Sequence, residues 1–399
     1  MKLKNKGVYR RELLTLGGKL ILNRTLLVPA DHESETTLLQ SEDVKGIYPL
    51  DQKLGIDNAP FKTTSRMMAA IAKEGIRCTS YAKSSIEIRE KYHVEISPAQ
   101  VKRITDYVGE LAFMDDCLRA AEAMETEHQQ IDRRKRRRRQ NDVLYIEFDG
   151  SMVDTRVETE GSSWKECKIA LAFSSANIHR WINRKGEECR AIRKRDIVGI
   201  IGPLDEFRYH VLALAKRNGY QYCSEVVVIT DGAKWIMPFV EDIFPRATHI
   251  LDKFHAKENA SKFANAVKRS KVQKAKYAQR LYALIDAGDI DGLLRETAPY
   301  KDWKSQNGVL NFHTYVESHQ KCMNYPEYES KGYFVGSGAI ESCHRYVMQN
   351  RMKQPGQRWN IKTGQGVLSL KSRYESGNWN DIINLCNADC YQLHTRSDG

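Results

Sequence analysis

The apolar residues of this chain follow two different spacings, which change at about residue 140. From Ala59 to about Met124 they recur every three to four residues, and this spacing predicts helices. Further along, short apolar runs that alternate or stay continuous predict strands, and helical stretches separate them. Residues 1–58 hold only short β-like runs near Leu20 and Leu26, so we expect a mixed opening segment.

The helical region contains two consecutive helices joined by a short turn. The first runs from Tyr81 to Tyr92, and residues 93–96 form the turn. Residues 97–100 read Ser-Pro-Ala-Gln, which supplies an N-cap, a proline at the first helical position and the glutamine of a capping box. The second helix has two faces. The apolar face carries Val101, Ile104, Thr105 and Val108. The polar face carries Gln100, Lys102, Arg103 and Tyr107. This pattern fits a helix-turn-helix, whose second helix enters the major groove of DNA, and it fits two helices of an ordinary bundle equally well.

After residue 142 the apolar runs predict a sheet with helices between its later strands. The first run, Val143 to Ser151, alternates as a half-buried strand does. Runs at 167–174, 190–201, 225–231 and 247–252 predict further strands, and those at 205–218 and 233–244 predict helices. Three strands followed by alternating helices and strands is the element order of the ribonuclease H-like fold. We therefore expect an α/β domain of this type, with a helical insertion at about 256–335, a last long helix at 337–352 and a basic tail after it.

Basic residues mark a boundary and indicate a partner. Seven consecutive cations, Arg133 to Arg139, cannot pack in a core, so they form a solvated linker or a strap that binds phosphates. The formal charge of the whole chain, +12, favours a polyanionic partner. The predicted division is a mixed segment (1–58), a mainly helical DNA-binding region (59–132), a basic linker (133–142), the α/β domain (143–379) and a C-terminal tail (380–399).

Composition also indicates the compartment. No apolar run approaches the roughly 20 residues of a membrane helix, and charged residues interrupt the apolar stretch near the N-terminus, so we expect neither a membrane segment nor a signal peptide. The nine cysteines are scattered without paired spacing, which indicates a reducing cytoplasm. Because no cysteine precedes Cys78, a zinc finger at the N-terminus is excluded.

Two predicted strands end in the same way, in Asp149-Gly150 and in Asp231-Gly232. Alone, Asp149 fits an ordinary turn after a strand. In the predicted sheet the first and fourth strands are neighbours, so both carboxylates would lie side by side, and such like charges need a cation. Hard oxygen ligands suit Mg²⁺ or Mn²⁺, and two such ions can activate a nucleophile and stabilise a leaving oxygen.

A third carboxylate is expected from a late helix. Gly336-Ser-Gly-Ala-Ile-Glu341 offers Ser337 as N-cap and places Glu341 in the first turn. Asp252 and His255, just after the fifth strand, are possible accessory residues. His255 either orients a phosphate or a ligand carboxylate, or belongs to a helix cap.

These residues resemble the motifs of bacterial insertion-sequence DDE transposases, particularly the Kra-type lineage, with the Lre-type lineage second. The matching stretches are Ile146–Gly150, Trp164–Lys168, Val228–Ile236, Phe244–Thr248, Leu251–Glu258, Gly336–Ser342 and Arg351–Trp359. The Asp-x-x-His of Asp252 and His255 resembles a motif of Mutator-like transposases. The resemblance covers most of the chain, but many relatives carry a cysteine pair where this chain has Val28-Pro-Ala-Asp-His32.

The resemblance implies a catalytic and metal-binding triad of Asp149, Asp231 and Glu341 with two Mg²⁺ or Mn²⁺ ions. It also implies a bacterial, nucleoid-associated protein whose partners are terminal inverted repeats and target DNA, and which works as a homo-oligomer. The residues expected to contact DNA are Gln100, Lys102, Arg103, Arg136, Arg137, Lys257, Arg345, Arg351, Lys353 and Arg358. Two alternatives stay open: a structure-specific nuclease or resolvase on the same fold, and a DNA-binding protein without catalysis.

Overall fold

The structure is a computed structural model that describes residues 3–30, 46–56, 59–125, 139, 141–156 and 163–392. The chain divides into two compact units. The first comprises Met1–Asp116, Asp154–Glu158 and Val347–Gly399, and the second comprises Cys117–Val153 and Thr159–Tyr346. Segment 347–399, which the sequence assigns to the α/β domain and a tail, thus groups with the N-terminal residues.

In chain order the strands are β1 (Leu3–Thr15), β2 (Gly18–Pro29), β3 (Val143–Asp154), β4 (Trp164–Ser174), β5 (Ile178–Ile182), β6 (Glu188–Ile192), β7 (Asp196–Ile201), β8 (Glu225–Thr230) and β9 (Thr248–Leu251). The helices before the insertion are α1 (Pro49–Leu54), α2 (Ser65–Arg77), α3 (Tyr81–Tyr92), α4 (Pro98–Glu125), α5 (Leu204–Arg217) and α6 (Ile236–Ile243). The later helices are α7 (Lys253–Val267), α8 (Lys271–Ala287), α9 (Ile290–Thr297), α10 (Phe312–His319), α11 (Tyr325–Ser330), α12 (Gly338–His344), α13 (Asn350–Met352), α14 (Ile361–Glu375) and α15 (Trp379–Gln392).

In the first unit, an antiparallel hairpin of β1 and β2 precedes the helices. The predicted faces of α4 are confirmed, because Val101, Ile104, Thr105 and Val108 are buried and Gln100, Lys102 and Arg103 are exposed. The predicted capping box is also confirmed: the Gln100 N–H donates to Ser97 Oγ, and the Ser97 N–H donates to Gln100 Oε1, both at 3.2 Å. Local sequence therefore fixes where α4 begins and which face it buries.

The prediction of a basic tail after residue 352 is wrong. Helices α14 and α15 occupy this segment and pack against α2 in the first unit. Lys371 and Arg373 are buried, and Arg373 pairs with Asp115, Asp116 and Asp381. Small residues let α14 approach α4 so closely that a Cβ on Gly109 would lie 2.8 Å from the backbone of Gly366.

The second unit is built on a five-stranded mixed sheet in the order β7-β4-β3-β8-β9. β3, β8 and β9 run parallel to one another, and β4 pairs antiparallel with β7. The α/β class and the strands predicted from apolar runs are confirmed, with two differences. β3 does not end at Asp149 and Gly150 but continues to Asp154. The run at 190–201 forms two strands, because β6 leaves the sheet and pairs with β5 in a separate hairpin.

Helices α7 to α11 fill the segment predicted as a helical insertion. The predicted last helix, 337–352, is present but contains a π-helical stretch, Arg345–Gln349, between α12 and α13. Among the residues that the structure describes, no helix has both the length and the apolar character needed to span a bilayer.

Candidate active site

Two aspartates lie side by side on neighbouring strands of the sheet, one within β3 and one directly after β8. β3 and β8 are parallel and in register, and Asp149 lies in β3 at the point where Asp231 follows β8. Each carboxylate accepts a nearby backbone N–H, Asp149 from Gly150 at 2.7 Å and Asp231 from Ala233 at 3.1 Å. The neighbouring position of the two strands, which the element order predicts, is confirmed.

The charges around Asp149 are predominantly negative. Burial, and then the charge of Asp231, raise the pKa of Asp149 to about 6, and Glu341 acts in the same direction. His255 opposes them. Asp149 therefore lies within electrostatic range of both other members of the predicted triad, and a cation at this place would relieve the repulsion.

Glu341 belongs to α12, whose start is held by two carboxylates from other elements. Ser337 occupies the predicted N-cap position, but its side chain makes no cap hydrogen bond to the helix. Its N–H and its hydroxyl donate instead to Asp252 Oδ2. The Ile340 N–H donates to Glu147 Oε2 at 2.8 Å. Strand β3 and the end of β9 thus fix the helix that presents the exposed Glu341.

Asp252 is a buried structural carboxylate. Its Oδ1 accepts the His255 N–H at 2.9 Å, so Asp252 is the N-cap of α7. Its Oδ2 accepts hydrogen bonds from Ser337. Burial alone would raise the pKa of Asp252, but hydrogen bonds with His255 and Ser337 lower it to about 2. The helix-cap role that the sequence left open for His255 is taken by its backbone N–H, which donates to the N-cap Asp252.

His255 is the cation of the site. Its Nδ1 lies 3.5 Å from Asp252 Oδ2, and this interaction raises the pKa of His255 to about 9 against the opposing effect of burial. Ligand atoms of Asp252, His255 and Glu341 all lie within 4.8 Å of one another. This group fits a metal poorly, because both Asp252 oxygens already accept hydrogen bonds from His255 and Ser337.

The model of an uncharacterised protein family, UPF0236, matches residues 30–379. The chain belongs to UPF0236. A comparison with curated proteins gives no match.

Two residues of the site in this UPF0236 chain were missed by sequence reasoning. Glu147 is 1% exposed and shares a face of β3 with Asp149. His344 is buried, with its Nε2 3.4 Å from Asp149 Oδ2. An acidic residue inside an apolar strand, two positions before a candidate ligand, was the available signal for Glu147. A histidine three positions after Glu341 was the signal for His344.

The residues expected to contact DNA differ in their exposure and in their ion-pair partners. The prediction that Arg351 contacts DNA is wrong, because Arg351 is 1% exposed and its Nε donates to the Gly75 carbonyl at 3.0 Å. Arg136 and Arg137 lie outside the described residues. Gln100, Lys102, Arg103, Arg345, Lys353 and Arg358 are exposed, whereas Lys257 is half-buried. Lys102 pairs with Asp106, Lys257 with Asp286 and Arg358 with Asp154. Apart from Arg351, these contacts stay predictions.

We expect Glu147→Ala to lower the free energy of unfolding by about 2–4 kcal/mol, because it opens a cavity and leaves the Ile340 N–H without its acceptor. Glu147→Gln is the matched control, since its amide oxygen can accept the same N–H. Urea unfolding at several pH values measures both variants.

The two variants also differ in pH dependence. Burial raises the pKa of Glu147 to about 8 in the folded protein, so its stabilising contribution is complete below about pH 4.5 and is lost as the pH rises to 8. Glu147→Gln should therefore match wild type near pH 4.5 and exceed its stability at pH 9. Equal stability at both pH values would contradict a neutral, buried Glu147.

Proposed function

We propose that this protein is a DNA transposase that cleaves and joins DNA strands with Asp149, Asp231 and Glu341. One observation carries the proposal: the carboxylates of Asp231, which follows β8, and of Glu341 on α12 lie close enough to Asp149 of β3 to add to the effect of burial in raising its pKa. Perturbed acidic groups that converge from separate elements are typical of sites that bind metals and phosphates. The exposed Glu341 leaves the group open to a substrate.

The fold of the second unit supports the same proposal. Two antiparallel strands at one side of β3 and two parallel strands at the other, with helices between the later strands, are compatible with a ribonuclease H-like sheet. In the first unit, α3 and α4 with the turn between them are our candidate helix-turn-helix for the ends of the element.

Asp149, Asp231 and Glu341 would hold Mg²⁺ or Mn²⁺. The raised pKa of Asp149 supports this fit, because negative charge outweighs positive charge around it, and carboxylate oxygens are the ligands that these ions prefer. When bound, two such ions supply activation of the attacking oxygen and stabilisation of the leaving oxygen.

The residues of the chain then have distinct tasks. The protonated His255 can bind a non-bridging phosphate oxygen, and Asp252 keeps this histidine charged.

In the first step, a water oxygen bonds to phosphorus while the bond to a 3′-oxygen breaks, and that oxygen takes up a proton. In the second step, the freed 3′-hydroxyl loses its proton and attacks a target phosphate, so that one P–O bond replaces another.

The test uses purified protein, Mg²⁺ and duplex DNA that ends in the inverted repeats flanking the coding region. We expect cleavage at the repeat ends and joining to a second DNA. Asp231→Asn and Glu341→Gln should each lower both activities by about a thousandfold, equivalent to about 4 kcal/mol. Asp291→Asn, an exposed carboxylate on α9, is the matched control and should keep both.

Other outcomes would contradict the proposal in different ways. Cleavage without joining would indicate a nuclease or resolvase. Binding of DNA that is the same with and without Mg²⁺, with no cleavage, would indicate a DNA-binding protein without catalysis. Undiminished activity of Glu341→Gln would remove Glu341 from the site.

A further inference from the structure

The hairpin of β5 and β6 contributes nothing to the core of the second unit. It leaves the sheet after β4 and returns to it at β7. None of the residues of its two strands is buried. A two-stranded ribbon without a covered face is marginally stable in water, which is why such ribbons commonly serve as contact elements.

The ribbon is strongly basic. Residues 178–195 contain two carboxylates, Glu187 and Glu188, and seven cations, which are Arg180, Arg184, Lys185, Arg190, Arg193, Lys194 and Arg195. Glu188 pairs with Arg180 at 2.9 Å and with Arg190 at 3.1 Å, and Glu187 accepts a hydrogen bond from Asn183. Both acidic groups are therefore engaged inside the ribbon.

Four exposed cations remain for a partner. Arg184 and Lys185 lie in the turn, and Arg193 and Lys194 lie where the ribbon rejoins the sheet. Among the residues that the structure describes, none of the four has a carboxylate within ion-pair distance. Their charge is thus available along the length of the ribbon.

One face of the ribbon also exposes an ordered aromatic pair. The rings of His179 and Trp181 stack with centroids 5.5 Å apart and planes at 20°. The residues opposite them, Ala191 and Cys189, are small and leave the pair uncovered across the ribbon. Trp181 is 42% exposed. Cations beside an exposed aromatic surface are the combination by which proteins hold nucleic acids.

We propose that the β5–β6 ribbon binds duplex DNA, with Arg184, Lys185, Arg193 and Lys194 on the phosphates and the His179–Trp181 face toward the groove. A two-stranded ribbon fits the major groove in width. A second copy of this chain is a poor occupant, because it would bring an equal excess of positive charge. The choice of DNA as the polyanion rests on the proposed function.

The test measures binding of the full chain to a 30-base-pair duplex in EDTA, over a range of salt concentrations. A ribbon variant replaces Arg184, Lys185, Arg193 and Lys194 by alanine. The matched control replaces four exposed lysines elsewhere, Lys4, Lys6, Lys271 and Lys276, and loses the same charge. Thermal unfolding checks that both fold, as expected for surface substitutions.

We expect the ribbon variant to bind at least about 30-fold more weakly at 0.1 M salt, and its log–log salt slope to fall by about 3 to 4, since each lost phosphate contact removes about 0.9. The control should change the slope by about 1 or less. Trp181→Ala should weaken binding about five- to tenfold with an unchanged slope, because it removes an apolar contact and no charge.

Equal losses in the ribbon and control variants would overturn the inference, as would a ribbon variant impaired only on single-stranded DNA or RNA. Cleavage by wild type together with unimpaired binding by the ribbon variant would leave the proposed transposase intact and reject the ribbon. Ribbon-dependent binding by a wild type that never cleaves would support the ribbon and reject the transposase.

Discussion

Asp149→Asn is expected to abolish strand cleavage, by at least about a thousandfold, and also to make the folded protein more stable at pH 7. The first effect rests on the proposed function, in which Asp149 supplies a charged oxygen that binds the metal. The second follows from the raised pKa of Asp149, because burial and Asp231 make its ionised form unfavourable in the folded state. The shift to about 6 corresponds to about 3 kcal/mol. Since the side chain is 33% exposed, solvent screening reduces the expected gain to about 1–2 kcal/mol.

The pH dependence of this gain can be stated in advance. The folded pKa lies above the unfolded value, so the native state of wild type is penalised as the pH rises from about 4 through 6. Calorimetry should therefore show a higher Tm for Asp149→Asn at pH 7 and an equal Tm near pH 4. Asp302→Asn, which removes an exposed carboxylate from a turn, serves as the control and should leave the Tm unchanged at both pH values. A lower Tm of Asp149→Asn at pH 7 would contradict the electrostatic account of the site.

Arg351→Ala is expected to lower the free energy of unfolding by about 3 kcal/mol without changing the salt dependence of DNA binding. The guanidinium of Arg351 lies 4.7 Å from the ring centroid of Tyr81 and 5.0 Å from that of Trp359, and its Nε donates to the Gly75 carbonyl. Arg351→Lys should not rescue the loss, because an ammonium cannot replace a planar group between two rings.

The control for this prediction is Arg358→Ala. Arg358 lies on the same segment but its side chain is 66% exposed, so its removal should change stability by about 0.5 kcal/mol or less. Urea unfolding and salt titrations of DNA binding measure both variants. Unchanged unfolding of Arg351→Ala, combined with a reduced salt slope, would mean that Arg351 contacts DNA after all.

Local patterns were sufficient for the elements that carry Asp149 and Asp231. An apolar run that ends in Asp-Gly predicts a strand, and the structure has β3 and β8 at these places, although β3 continues past Asp149 to Asp154. The order of elements then predicted that the two strands are neighbours, which the sheet confirms. The same holds for the start of α4, since the capping box of Ser97 and Gln100 involves only residues next to one another in sequence.

Local patterns failed where burial depends on a distant segment. Charge alone suggested that Arg351 and Arg373 face solvent. In the structure Arg351 lies between the rings of Tyr81 and Trp359. Arg373 pairs with Asp115 and Asp116. The periodicity of α14 was hidden because its buried face contains polar and small residues, which are Gly364, Gln365, Gly366, Ser369 and Ser372. Gly109 of α4 lets the two helices approach closely at Gly366, so the burial of this helix depends on a residue far away in the sequence.

The sequence by itself determined the chemistry that this UPF0236 chain has available: an aspartate in one strand and another directly after a second strand, a glutamate in the first turn of a late helix, and a strong excess of basic residues. Those features follow from neighbouring residues and need no partner to be recognised. Only the tertiary structure decided how they are held. Glu147 and Asp252 fix the start of α12 through hydrogen bonds that join residues far apart in the chain. Their roles arise because burial and nearby charge change what a carboxylate does, and both depend on the folded chain.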